Sequence, residues 1–217
     1  MGIKNYLIEG VSGTGKTTVA EELQRRGYHV LHGDRELAYW GDRKTGEPVD
    51  EPAHESEADR VAWQQEHWLW NIDKVKSVIA DHSNAISFFC GGSWNFFCLI
   101  DLLDRIFVLD VEPDILKQRL ASRPENEFGG RPVERDLIYD CTQRKNIPKG
   151  DVVIDATAPL EHVVDAILKN ANWVTDTRHC RNDWNSGSEA SSPHVRRLKN
   201  VAHWHLSDMP GRSADVR

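Results

Sequence analysis

The chain has 217 residues and a formal net charge of -7; 39% of it is hydrophobic and 28% charged. That length holds one α/β domain and little more, and the composition is ordinary for a globular protein. So acidic a chain is drawn toward neither nucleic acid nor anionic membranes by its overall field, and any bound anion needs a local cationic pocket. No apolar run approaches the roughly 18 residues of a membrane span. Met1-Gly2-Ile3-Lys4 opens without a secretory pattern, so a cytoplasmic protein, monomeric or homodimeric, is the expectation. Cys90, Cys98, Cys141 and Cys180 show no paired spacing and read as free thiols, three of them in core-like segments.

In chain order, residues 3–9 carry the apolar run Tyr6-Leu7-Ile8 and predict a buried strand before a glycine-rich turn. Residues 17–26 predict a helix with Val19, Ala20 and Leu23 inward, closed by Gly27. A short strand is expected over 28–32, then a polar loop over 41–52. Residues 56–81 predict one long helix, with Val61, Trp68, Ile72, Val75 and Ile79 on its apolar stripe. Continuous apolar runs over 85–90 and 105–110 predict central parallel strands. Helices are expected over 112–122 and 133–145, separated by a glycine- and charge-rich loop. A fifth strand at 152–154 and a helix over 159–169 follow. Strands alternating with helices call for an α/β, three-layer arrangement: a five-stranded parallel sheet with helices on both faces. Hydrophobic periodicity ends near residue 172, so 1–171 reads as the domain and 172–217 as a poorly ordered tail.

Gly10-Val11-Ser12-Gly13-Thr14-Gly15-Lys16-Thr17 matches the phosphate-loop pattern G-x-x-x-x-G-K-[ST] at every fixed position. Glycines let main-chain N–H groups of Ser12, Gly13, Thr14 and Gly15 close around phosphates, at the positive end of the following helix. Lys16 reaches the β- and γ-phosphates, Thr17 is placed to ligate Mg²⁺, and Thr18 adjoins it. ATP and Mg²⁺ are therefore the expected cofactors.

The order of strand, phosphate loop, helix, second strand ending in Asp34, long helix, strand ending in Gly91-Gly92 and arginine-rich segment resembles the small P-loop kinases. These include adenylate, shikimate and gluconate kinases and chloramphenicol phosphotransferase, and the likeness covers about residues 1–171. The resemblance implies a lid over about 119–135 and an acceptor region over about 34–82. In Arg119-Leu120-Ala121-Ser122-Arg123 it implies that Arg119 stacks on adenine while Arg123 reaches the phosphates. Arg131 and Arg135, again four apart, would close over the transferring group. The turn holding Asp155, Ala156 and Pro159 would wrap the base through its main chain; a plain strand-to-helix turn is the alternative.

On the acceptor side Asp34 follows the second strand, where carboxyl ends face the ligand crevice. It can take a hydroxyl proton or hold Mg²⁺ through water; a helix cap is the alternative. Arg35 would bind an anionic group, or lie at the surface. Gly91 and Gly92 resemble the acceptor-site glycines of shikimate kinase, and no acidic residue ends their strand. Trp63, His67 and Trp70 form a second stripe on the expected long helix, fit to face a ring-shaped acceptor or to pack on the 41–52 loop or the C-terminal tail. Together these features imply transfer of the ATP γ-phosphate to a small molecule, nucleoside or nucleotide. The competing readings are a regulatory nucleotide-binding protein acting on a protein partner, and an inactive module. The histidines near Cys180 fit no zinc template.

Overall fold

The computed structural model describes residues 3–143 and 152–172. All of the expected tail beyond Asn172 lies outside the described residues. In chain order the elements are β1 (Lys4–Glu9), α1 (Lys16–Arg25), β2 (His29–His32), α2 (Gly33–Glu36), β3 (Ala38–Trp40), α3 (Glu57–His67) and β4 (Trp68–Trp70). They continue with α4 (Ile72–Ala80), β5 (Ile86–Cys90), two 3-10 turns (Phe96–Cys98 and Ile100–Leu102), β6 (Arg105–Asp110), α5 (Pro113–Ala121), α6 (Pro132–Gln143), β7 (Val152–Asp155) and α7 (Leu160–Asn172).

Five strands form one sheet in the order β2-β5-β1-β6-β7, every pair parallel. β1 is central because its side chains are apolar on both faces: Tyr6, Leu7 and Ile8 are completely buried. Tyr6, Ile8, Phe88, Phe107 and Leu109 pack beneath Val19, Ala20 and Leu23 of α1 and Val163, Val164 and Ile167 of α7. Each such side chain contributes about 1.5–3 kcal/mol on burial. The alternating residues Leu7, Leu31, Phe89, Ile106 and Val108 are equally buried and turn to the opposite face, with Val75 of α4, Leu99 and Ile100 supplying buried side chains for that layer. The Tyr6 hydroxyl donates to the Ala171 carbonyl at 2.7 Å, tying the end of α7 to the central strand. Burial pushes that phenol up to about 12. Among the described residues no helix is long and apolar enough to cross a membrane.

The single helix expected over 56–81 is two helices with a strand between them. After His67 the chain turns extended, with ψ 99° at Trp68, and β4 pairs antiparallel with β3: Ala38 with Trp70, Tyr39 with Leu69, Trp40 with Trp68. Three side-chain interactions explain the break. The Asn71 carboxamide accepts the Lys74 N–H at 2.9 Å and starts α4 as its cap. Buried Asn95 accepts the Trp70 N–H at 3.0 Å and donates to the Trp70 carbonyl at 2.9 Å. Aromatic Trp68 and Trp70 suit a strand at least as well as a helix. The apolar stripe runs through the break unchanged, so periodicity alone does not reveal it. Trp70 thereby leaves the expected helical stripe and becomes a strand residue that is 1% exposed.

Candidate active site

The phosphate loop joins β1 to α1 at the carboxyl edge of the sheet. Gly13 and Gly15 have φ of 96° and 98°, the left-handed region that glycine tolerates. A Cβ on Gly13 would also lie 2.7 Å from Leu116 Cδ1, because α5 packs directly against the loop. Lys16 Nζ donates to the carbonyls of Gly10 at 2.5 Å and Val11 at 3.2 Å, so its ammonium spans the loop. Thr17 and Thr18 are exposed on the first turn of α1. Thr14 is buried, and its hydroxyl donates to the Val11 carbonyl at 2.9 Å.

Two of the four arginines expected over the lid reach this loop. Arg119 on α5 donates to the Ala156 carbonyl at 2.9 Å and lies 3.4 Å from the Thr14 carbonyl. Arg123 donates to the Ser12 hydroxyl at 2.7 Å and to the Phe128 carbonyl at 2.5 Å, and Ser12 donates to the same carbonyl at 3.3 Å. A cavity of about 330 Å³ opens beside the start of α1, between Gly13, Gly15, Thr18 and Arg119 on one side and Ala156 and Leu160 on the other. Its size is at the lower end for small-ligand pockets. Asp155 does not line it and accepts the Thr157 N–H at 2.9 Å as a local turn. The Pro159 carbonyl accepts the Val163 N–H and opens α7. Arg131 is drawn elsewhere: it pairs with Glu57 of α3 at 2.5 Å, and that bond holds the Glu57 carboxyl below its ordinary range. Arg135 donates to the Gly130 carbonyl at 2.8 Å. Both brace the segment between α5 and α6.

Across the edge, Asp34 lies exposed on the short helix α2. Among the described residues its carboxylate makes no hydrogen bond or ion pair, and the cap position belongs to His32. Its Oδ1 would stand 2.8 Å from a Cβ on Gly91. Arg35, next to it, is exposed as well.

Glu9 is the site residue that sequence reasoning missed. It ends β1, is 8% exposed, and accepts the Gly10 N–H at 3.1 Å. A Cβ on Gly92 would collide with its Oε1, so the Gly91-Gly92 pair leaves room for two carboxylates, one at the end of β1 and one on α2. Burial pushes Glu9 up to about 7; Lys16 and the Gly10 N–H oppose the rise, and Asp34 adds to it. The sequence held one signal, a carboxylate closing an otherwise apolar strand directly before the phosphate loop. Cys90, beneath these groups, is buried and its thiol is pushed upward by burial. Cys98, expected in the core, is exposed.

Magnesium suits this edge, although among the described residues no three acidic, His or Cys side chains converge. The exposed Thr17 hydroxyl offers one oxygen, and Glu9 is a buried carboxylate whose ionised form burial disfavours and Lys16 only partly restores. Hydrated Mg²⁺ typically takes few protein oxygens and keeps its waters.

Trp63 and His67 do not face this edge in the way a shared stripe with Trp70 implies. They stack on each other at 4.2 Å and 16°. Trp63 packs on Trp40 and His54, and Trp40 on Trp68. The aromatic group thus fastens α3 to the hairpin and its loop, while Trp70 lies under Gly33 and Gly91.

Residues 7–140 match the AAA domain family. No curated protein matches the chain. Solved structures similar to it include a shikimate kinase from Bacteroides thetaiotaomicron, 16% identical with a TM-score of 0.48, covering 77% of this chain and 97% of that one. A gluconokinase from Sinorhizobium meliloti is 17% identical with a TM-score of 0.47, covering 81% and 98%. A deoxyadenosine kinase from M. mycoides with bound dATP is 16% identical with a TM-score of 0.41, covering 77% and 99%. The family match begins inside β1, takes in the whole phosphate loop and ends inside α6, more than half of the sequence: the chain belongs to the AAA domain family, and its α/β fold is built on a five-stranded parallel sheet.

Proposed function

We propose that this protein is an ATP-dependent phosphotransferase that moves the γ-phosphate of ATP to a hydroxyl of a small acceptor. The observation that carries the reading is Asp34: a carboxylate with no partner of its own, at the carboxyl edge of the sheet against Gly91. A P-loop alone implies nucleotide binding; an unengaged base beside it implies a second substrate.

In this reading the cavity beside α1 takes the adenine, between Arg119 and the Ala156 turn. Main-chain N–H groups of Gly13, Thr14 and Gly15 hold the phosphates. Lys16 exchanges the Gly10 carbonyl for phosphate oxygens, and Arg123 adds charge from Ser12's side. Asp34 accepts the acceptor's proton as its oxygen forms a bond to the γ-phosphorus, and the bond to the β-γ bridging oxygen breaks to release ADP. Magnesium, when bound, neutralises phosphate charge; Thr17 would hold it, with Glu9 and Asp34 reached through water. Arg131 reaches the transferring group only by giving up Glu57, which makes that pair the catch of a lid. The acceptor-side wall is β3, β4 and the 91–95 turn, in a cytoplasmic enzyme.

The test is a panel of metabolites and nucleosides scored by mass spectrometry for an ATP-dependent gain of one phosphate. A product lost in Asp34→Asn supports the reading. ATP hydrolysis that ignores every metabolite and responds to a protein would favour the regulatory alternative.

A further inference from the structure

We propose that Arg43 is the anion-recognising residue of the acceptor site, so that the acceptor carries a carboxylate or phosphate beside the hydroxyl it offers. The proposal rests on the phosphotransferase reading above and adds the chemical class of the acceptor.

Arg43 lies in the loop after β3, and that loop is firmly built. Asp42 accepts the Lys44 and Thr45 N–H groups at 2.8 and 2.9 Å, and its carbonyl accepts the Gly46 N–H at 2.7 Å. The Gly41 N–H donates to the His67 carbonyl at 2.9 Å. From this base the guanidinium carbon sits 4.5 Å from the centroid of the Trp94 ring. Trp94 is held by its own N–H, which donates to the Trp68 carbonyl at 3.0 Å. It stands two residues beyond Gly92, the glycine that rests on Glu9. The cation is therefore fixed flat on a ring at the acceptor end of the crevice.

What sets Arg43 apart is its lack of compensation. Arg119 and Arg123 donate to carbonyls, and Arg131 pairs with a carboxylate. Arg43 is half-buried, yet among the described residues no carboxylate comes within ion-pair distance; Glu66 acts on it only from further away. Burial lowers its pKa from the ordinary arginine value. A charge taken out of water without a partner is costly unless a ligand supplies one. Directly before Trp94 in the chain, the Ser93 hydroxyl is buried with no hydrogen-bond partner. A planar guanidinium and a hydroxyl suit the oxygens of a carboxylate or phosphate. The surroundings require such a cation: in a chain of net charge -7, Glu9 and Asp34 would repel an anionic acceptor.

The experiment uses the full chain saturated with Mg²⁺ and ADP, so that the phosphate loop is occupied. Binding of gluconate and of a nucleoside 5′-monophosphate is followed by tryptophan fluorescence and calorimetry, with glucose and the parent nucleoside as neutral counterparts. The expected result is that one anionic ligand binds at least tenfold more tightly than its neutral counterpart. Arg43→Met should weaken that ligand about 10–100-fold, the range for a hydrogen bond to a charged group, and Arg43→Lys should weaken it less. The ligand that binds decides between carboxylate and phosphate. Equal binding of charged and neutral ligands, unchanged binding in Arg43→Met, or no binding by either anion overturns the proposal. Binding that depends on Arg43 without any phosphate transfer would instead sink the phosphotransferase reading and leave this one standing. Transfer to neutral acceptors that Arg43→Met leaves unchanged would do the reverse.

Discussion

At the end of the crevice that the proposed function gives to the nucleotide, Lys16, Arg119 and Arg123 each donate to main-chain carbonyls, and the loop they hold is fixed by glycine geometry and by Leu116 beneath it. At the end proposed for the acceptor the charged groups are Glu9, Asp34 and Arg43, and none of them makes an ion pair among the described residues. The first end is a frame completed by its own backbone. The second carries side-chain charge with no partner of its own. Preorganised dipoles suit a cofactor that is the same in every turnover, whereas unpaired side chains such as buried Glu9 and half-buried Arg43 give discrimination, because a wrong acceptor leaves them without a partner.

The strongest way to break this contrast is at Lys16. Lys16→Ala should leave the fold intact and slow transfer on the order of 10³–10⁵-fold, the scale of removing a charge that tracks the phosphoryl group; single-turnover kinetics would measure it. Near-normal transfer would remove Lys16 from the catalytic frame. Asp34→Asn should slow transfer by about 10²–10⁴-fold while leaving affinity for metal-free ATP little changed. A large loss of that affinity would place Asp34 with the nucleotide and erase the distinction between the two ends.

Glu9 sharpens the comparison without any substrate. Its carboxyl rises in the folded chain from the ordinary 4.5 to about 7, so the folded state binds the proton more tightly than the unfolded one. Stability of the ligand-free protein should therefore fall as pH rises from about 4.5 through 7 and level off above, by at most about 3 kcal/mol at roughly 1.4 kcal/mol per pH unit. Urea unfolding across that window should show the slope, and Glu9→Gln should flatten it. An unaltered slope in the variant would assign the effect to other groups. The smallest effect is expected at Trp63. Because it packs on Trp40, His54 and His67, Trp63→Leu should lower stability by about 1–2 kcal/mol with KM for the acceptor unchanged. A raised KM with unchanged stability would return Trp63 to the acceptor wall.

Much of the fold was legible because its signals are local. A continuous apolar run such as Ile106-Phe107-Val108-Leu109 has one use, a strand covered on both faces. The phosphate loop was equally legible, since the glycines and the Lys16-Thr17 pair that make it work are contiguous. Arg119 and Arg123 were singled out by their four-residue spacing, and both reach the loop although only Arg119 stands in α5, Arg123 lying two residues past its end. The break between α3 and α4 was not legible. Trp68, Leu69 and Trp70 fit a helical stripe as well as a strand, and the decision came from Asn95, which lies 25 residues downstream of Trp70 in the sequence and binds both of its main-chain groups.

The sequence by itself determined a parallel α/β sheet with a nucleotide phosphate loop at its edge, because periodicity and contiguous glycines act within a few residues of chain. Only the tertiary structure decided what stands opposite that loop. Glu9 became a site residue because β1 and β5 pair in parallel and Gly92 leaves its carboxylate room. Arg131 was turned toward Glu57 by the proximity of α3 and α6. Arg43 was set on Trp94 by a hairpin that the periodicity concealed. Each depends on residues far apart in sequence meeting without a fixed spacing, and a charge acquires its role from the partner that burial gives it or withholds.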